Sequence, residues 1–280
     1  MLRGGFRVAL KAVHLEPVTE LTTSAFIATL RRFIARRGIP STLWSDNGTN
    51  FVGAAKEIRK LVSDPELRDQ CTHQGIQWKF IPEYAPHFGG LWEAAVRSFK
   101  RHLRKVVGDV RLTYEELATT LAQIEACLNS RPLTPLPEPS DGIEVLTPGH
   151  FLIGKPLTAL PDPSESRQPI TTLRRWHLCQ RLASHFWNRW SKKYLTTLNR
   201  FTKWQRPTEN IQVDDVVCLR DEPTSPTKWP LARVIAVYPG LDGKVRVVKL
   251  RTSRGIYKRP VTKLVPLLHP DQCTTGTTES

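Results

Sequence analysis

Trp44-Ser45-Asp46-Asn47-Gly48-Thr49-Asn50-Phe51 is the stretch on which the fold reading turns. A short strand, Ser41–Ser45, runs into an Asn-Gly turn and leaves Asp46 at its C-terminal end. Upstream, Phe6–Leu10 and Ala12–Val18 read as strands, and Thr22 or Thr23 is placed to cap a helix over Ser24–Arg37. Phe26, Ile27, Leu30, Phe33 and Ile34 share one face of that helix, which Gly38 and Pro40 close. Downstream come a helix over Ala54–Val62, a strand over Ile76–Ile81 and a long helix over Leu91–Val107. The last carries an apolar stripe of Leu91, Ala95, Val96, Phe99, Leu103 and Val107. Thr113 and Glu116 have capping-box spacing and open a further helix to about Asn129, with Leu117, Leu121, Ile124 and Leu128 inward. The order β-β-α-β-α-β-α-α predicts an α/β domain, a mixed sheet with flanking helices.

Nine prolines between Pro132 and Pro169 predict a linker or extended arm, interrupted by a short ordered patch over Leu146–Ile153. Arg174–Tyr194 reads as an amphipathic helix rich in tryptophan, better suited to a core or assembly surface than to base stacking. After Pro207 the pattern turns to strands: Val216–Leu219, Ala232–Tyr238, Val245–Arg251 and Ile256–Arg259, with turns at Asp242-Gly243 and Ser253-Arg254-Gly255. Several short strands of this kind fit a small SH3-like β-barrel. The expected organisation is a core over 1–135, a Pro-rich linker over 136–173, a helix and basic barrel over 174–268, and a polar tail over 269–280.

Charge and cysteine usage narrow the function classes. The chain of 280 residues has a net charge of +15, and the segment Arg174 to Lys263, with 20 basic and 6 acidic residues, carries +14 of it. A basic field so concentrated favours a polyanion such as nucleic acid. Five scattered cysteines, none in a CxxC pair, predict reduced thiols in the nucleus or cytoplasm, not a disulfide frame or zinc site. No apolar run is long enough to span a bilayer, and charges break any leader-like stretch near the N-terminus.

Chemistry enters with Asp46 and Glu93, the latter in Pro86-His87-Phe88-Gly89-Gly90-Leu91-Trp92-Glu93. A carboxylate at a strand end and another in a helix's first turn suit a hard divalent cation, and two-metal phosphoryl transfer needs such groups converging. Arg97, Lys100, Arg101 and Arg104 follow Glu93 on the same helix face, as a phosphate-gripping helix would have them. Taken singly, Asp-Asn-Gly is an ordinary turn and the cationic face an ordinary solvated one with an i,i+4 Glu–Arg pair. His14 reads as a strand histidine with a satisfied hydrogen bond, whereas His87 is placed to contact phosphate or orient a water. In the basic strands, Arg246, Lys249, Arg251, Arg254, Lys258 and Arg259 are the expected phosphate contacts.

Several strings occur together and in order. They include Phe33-Ile-Ala-Arg-Arg-Gly38, Ser45-Asp-Asn-Gly-Thr-Asn-Phe51-Val-Gly53, Ala85-Pro-His-Phe-Gly-Gly-Leu-Trp-Glu93 and Glu125-Ala-Cys-Leu-Asn-Ser-Arg-Pro132. Leu146-Thr-Pro-Gly-His-Phe-Leu-Ile-Gly154, His185-Phe-Trp-Asn-Arg-Trp190 and Tyr257-Lys-Arg-Pro260 continue the series. The chain thereby resembles the integrase of BEL/Pao-type LTR retrotransposons over nearly all of residues 11–268. The resemblance implies a ribonuclease-H-like integrase core, then a C-terminal DNA-binding region. It also implies Mg²⁺- or Mn²⁺-dependent 3′-end processing and strand transfer, DNA as partner, and a homo-oligomer. Asp46 would be the second catalytic aspartate and Glu93 the catalytic glutamate, 47 residues on, with extra length in Ile58–Gly75. The family's first aspartate has no counterpart: residues 1–45 contain none, and Glu16 belongs to a later strand position. The resemblance therefore implies an N-terminally truncated integrase with impaired catalysis, or a non-enzymatic DNA-binding or assembly protein derived from one.

Overall fold

The computed structural model describes residues 5–7, 12–63, 76–81, 99–137, 142–160, 175–198 and 210–267. It is a mixed α/β chain that divides into two compact units, Met1–Ala122 and Gln123–Ser280. This division falls inside the helix Tyr114–Asn129.

In the first unit, β1 (Gly5–Arg7) and β2 (Val13–Leu15) form an antiparallel pair. Helix α1 spans Thr23–Arg37; Thr22 is its N-cap, its Oγ1 accepting from Ala25 N at 3.2 Å. Gly38 closes α1 at φ 84°, a conformation that costs glycine little. Strand β3 (Thr42–Ser45) pairs in parallel with β4 (Gln77–Phe80), Trp44 opposite Lys79. Helix α2 spans Thr49–Ser63 and so begins five residues before the expected Ala54. The Asn-Gly turn itself starts the helix: Gly48 O accepts from Phe51 N at 2.9 Å and from Val52 N at 3.0 Å. Leu30 and Phe33 of α1 and Ala54 and Ala55 of α2 pack with Trp78 of β4 as one apolar core. Helix α3 is described over residues 99–107, where Leu103 and Val106 are buried. The Thr113 capping box forms: Thr113 N donates to Glu116 Oε2 at 2.8 Å, and Glu116 N to Thr113 Oγ1 at 3.3 Å. It opens α4, Tyr114–Asn129, which runs past the division between the units.

In the second unit, the Pro-rich stretch contains more order than a linker. Strand β5 (Thr134–Pro135) pairs with β6 (Val145–Leu146), and α5 (Pro148–Ile153) comes next, ended by Gly154 at φ 73°. Helix α6 spans Arg175–Leu198 and buries Leu178, Leu182, Phe186, Trp187 and Trp190 along one face. The last element is a five-stranded antiparallel sheet in the order β10-β9-β8-β7-β11. Its strands are β7 (Val216–Leu219), β8 (Leu231–Pro239), β9 (Val245–Thr252), β10 (Gly255–Pro260) and β11 (Leu264–Pro266). Val217, Leu219, Ala232, Val234, Val248, Leu250 and Leu264 form its apolar core, each fully buried Val or Leu contributing about 1.5–3 kcal/mol. The four residues of β7 are all buried because both of its faces are covered. Val217 and Leu219 enter the core, while Val216 and Cys218 pack with Leu195 of α6.

Candidate nucleic-acid interface

Asp46 comes directly after β3 and is exposed. Its Oδ1 accepts from Gly48 N at 3.0 Å, the side-chain turn that leads into α2. A Cβ at position 48 would lie 3.0 Å from that same oxygen and 2.9 Å from Asn50 Oδ1, so any larger residue there would displace these two side-chain ends. Neighbouring bonds fix the strand end: Asn47 Nδ2 donates to Ile81 O at 3.0 Å, and Trp78 Nε1 to Ser45 Oγ at 2.9 Å. Trp44 is 49 % exposed and lies under Lys79, whose Nζ is 5.4 Å from the ring centroid. An aromatic face and a cation thus flank the Asp46 turn on the β3–β4 surface.

Glu93, His87 and Arg97 lie outside the described residues. On α3, Arg101 and Arg104 are exposed and Lys100 half-buried, away from the stripe of Leu103 and Val106. Among the described residues no group of three or more His, Cys, Asp or Glu could hold a metal ion. Asp46 is therefore the single described member of the expected ligand set, and no step through a metal is drawn from it. Glu16 is engaged elsewhere. It is 4 % exposed and accepts from Arg32 Nε at 3.2 Å and Arg36 Nη1 at 2.5 Å, while His14 Nε2 stands 3.4 Å away. It clamps the end of β2 to α1.

The C-terminal sheet separates the expected phosphate contacts by face. Along β9, Val248 and Leu250 point into the core, so Val247, Lys249 and Arg251 point out. The register places Lys258 of β10 opposite Lys249, and Arg233 of β8 opposite Arg251. Directly opposed residues share a face, so Arg233, Lys249, Arg251 and Lys258 form one cationic patch, two like-charge pairs side by side. None of the four has an ion pair among the described residues. Tyr238 belongs to this face as well, with Lys258 Nζ 4.9 Å over its ring.

Two of the expected contacts fall elsewhere. Arg246 is held in a two-pronged pair with Asp242, at 2.9 and 2.8 Å. That bond lowers the Asp242 pKa and raises that of Arg246. Arg259 opposes Val248, so it lies on the core side, near the Tyr257 ring and 4.0 Å from Glu222. Arg254 stands exposed in the β9–β10 turn. Arg233 is the residue that sequence reading missed. Its isolated place in Leu231-Ala232-Arg233-Val234 gives no sign that β9 sets an arginine opposite it.

No helix among the described residues is long and apolar enough to cross a membrane. No curated protein matches the chain. Among solved structures, one chain in the cryoEM structure of the simian T-cell lymphotropic virus intasome in complex with PP2A regulatory subunit B56 gamma aligns with 92 % of this chain and 69 % of its own length. The identity is 15 % and the TM-score 0.33, too low to establish a shared fold. Residues 174–267 match a family described as a family of unknown function (DUF5641), and this match covers the α6 helix and the whole cationic sheet.

Proposed function

We propose that this chain is an integrase-derived DNA-binding protein of retroelement type, with the β8–β10 face as its main phosphate contact. The observation that carries the reading is the pairing of Arg233 with Arg251 and Lys249 with Lys258, four cations on one face without anionic partners among the described residues. Like charges set directly opposite each other destabilise a sheet, and a polyanion laid across them removes that cost. The face offers guanidinium, ammonium and one tyrosine, groups that suit phosphate oxygens, so we take backbone contact as its main mode of recognition. The ordered motif strings supply the integrase part of the reading. With them come a ribonuclease-H-like core, an SH3-like barrel, homo-oligomerisation, and Asp46 with Glu93 as ligands for Mg²⁺ or Mn²⁺. When bound, such a metal would activate a water or a DNA 3′-OH toward a phosphodiester. Asp46 and Glu93 alone would hold that ion poorly, so catalysis resting on these two alone is impaired.

Duplex binding measured against salt tests the interface. Four phosphate contacts predict a slope of log K on log [salt] of about −3.6. Lys249→Glu lowers the affinity and the slope while raising thermal stability, because it replaces a Lys–Lys pair with a Glu–Lys pair worth roughly 0.2–1 kcal/mol. Unchanged DNA affinity in the Lys249→Glu/Arg251→Glu double variant would sink the assignment. A strand-transfer assay in Mn²⁺ tests the catalytic part: no product is expected, and product that Asp46→Asn abolishes would overturn the claim of impairment.

A further inference from the structure

The outer face of the C-terminal sheet changes character along its strands. On β8, Val237 packs against the core, so Tyr238 after it points out. The register sets Tyr238 opposite Val247 of β9, and Val247 opposite Pro260 of β10. The three form one row across three strands. Tyr238 is 41 % exposed, Val247 is 37 % exposed, and Pro260 is exposed as well. Two residues along, about 7 Å away, comes the row of Lys249 and Lys258. Beyond it comes that of Arg233 and Arg251. An exposed apolar strip thus borders two ranks of cations, the pattern of an interaction site. Ile256, also exposed on this face, stands opposite Arg251 and away from the strip.

Tyr238 reaches over that strip. Strands β8 and β10 are not neighbours: β9 separates them, by two strand spacings or about 9.5 Å. Yet Lys258 Nζ lies 4.9 Å from the Tyr238 ring centroid. The two side chains therefore meet over β9, where the apolar strip adjoins the lysine row. A duplex presents phosphates and sugars to such a face and keeps the faces of its bases stacked inside. A strand with unpaired bases offers both chemistries at once. Its bases have π faces for the tyrosine and its apolar neighbours, and its phosphates suit the lysines one row away.

We propose that this end of the face binds unpaired DNA. A base stacks on Tyr238 beside Val247 and Pro260, and the adjoining phosphates lie on Lys249 and Lys258. The assignment rests on the DNA-binding reading of the β8–β10 face and adds to it a contact that only unpaired bases make.

Fluorescence anisotropy with the full chain tests it. The probes are a labelled oligothymidine of roughly eight nucleotides, the same strand with abasic sites in place of its bases, and a duplex of equal length. The parent chain binds the base-bearing strand about tenfold tighter than the abasic one, the worth of one stacked base. Tyr238→Ala removes most of that difference, and Tyr238→Phe keeps it. Neither changes the slope of log K on log [salt], because no charge is lost. Lys249→Glu/Arg251→Glu weakens binding of all three probes. If that double variant changes none of them, the phosphate face is wrong and the stacking site falls with it. If it weakens all three while the parent binds abasic and base-bearing strands equally, the stacking site alone is overturned. A preference for bases that survives Tyr238→Ala would also overturn it. So would a Tyr238→Ala loss as large on the duplex and the abasic strand as on the base-bearing one. A changed oligomeric state in Tyr238→Ala, read by sedimentation with strand affinity intact, would instead make the strip a seat for a second copy and overturn the proposal.

Discussion

Glu16 and Asp46 are both acidic residues placed close after a strand, yet their surroundings give them opposite uses. Glu16 is buried and commits its oxygens to Arg32 and Arg36; Asp46 is exposed and gives one oxygen to a turn. Glu16→Gln therefore costs stability and Asp46→Asn does not. The two arginines are 38 % and 58 % exposed, so the Glu16→Gln loss falls at about 1–2 kcal/mol, read as a shift in the urea midpoint. The thiols give a prediction in pH. Burial raises Cys127 and Cys218 from 9.0 to about 12, so folding holds both neutral. Their contribution is complete below pH 9, the unfolded value, and is lost as pH climbs toward 12. Thermal melts of Cys218→Ala should show less alkaline loss of stability between pH 9 and 12 than the parent chain. Sequence placed Asp46 at its strand end correctly, because a strand and an Asn-Gly turn are both local signals. It offered Arg246 as a phosphate contact without its pairing to Asp242, which depends on how the β8–β9 hairpin brings the two together.

Among the elements, the start of α2 shows how a local rule was overtaken by a stronger one. Thr49 to Gly53 has weak helix formers and a glycine, so the sequence suggested a start at Ala54; the Gly48 carbonyl and the Asp46 turn start it earlier. Gly53 then falls inside the helix, where alanine would normally stabilise by about 1 kcal/mol. Here a Cβ would stand 2.4 Å from Thr23 Oγ1 in the first turn of α1. Gly53→Ala should accordingly lower the urea midpoint, and Gly53→Ala/Thr23→Ala should recover it; a single variant more stable than the parent would refute the close packing of α1 on α2. In the sheet, Val216–Leu219 and Val245–Arg251 were legible as strands, and β7 and β9 form there. Which cations share a face was not legible, since it depends on cross-strand register and on the irregularity between Val234 and Ala236.

At the scale of the whole molecule, the second unit takes in residues on both sides of the first prolines of the Pro-rich stretch. The stretch before them is tied into the C-terminal half: Trp229 Nε1 donates to Ser130 Oγ at 3.1 Å, and Tyr194 OH to Pro132 O at 2.9 Å. A chain beginning at residue 110 should melt cooperatively, whereas one beginning at 136 should lose cooperativity or melt well below it. Equal melting of the two would show that residues 123–135 contribute nothing to the second unit. Those bonds join residues 99 and 62 positions apart, beyond the reach of any local pattern. Trp229 also meets the rings of Trp187, Tyr194 and Trp190 at 4.8, 5.5 and 5.9 Å. Chromophores so close and so fixed couple their excited states. The near-ultraviolet circular dichroism of this protein should carry a strong signed band from that cluster, and excitation of any one indole should migrate among them. The molecule thus contains its own optical gauge of whether α6, the Ser130 turn and the sheet are assembled.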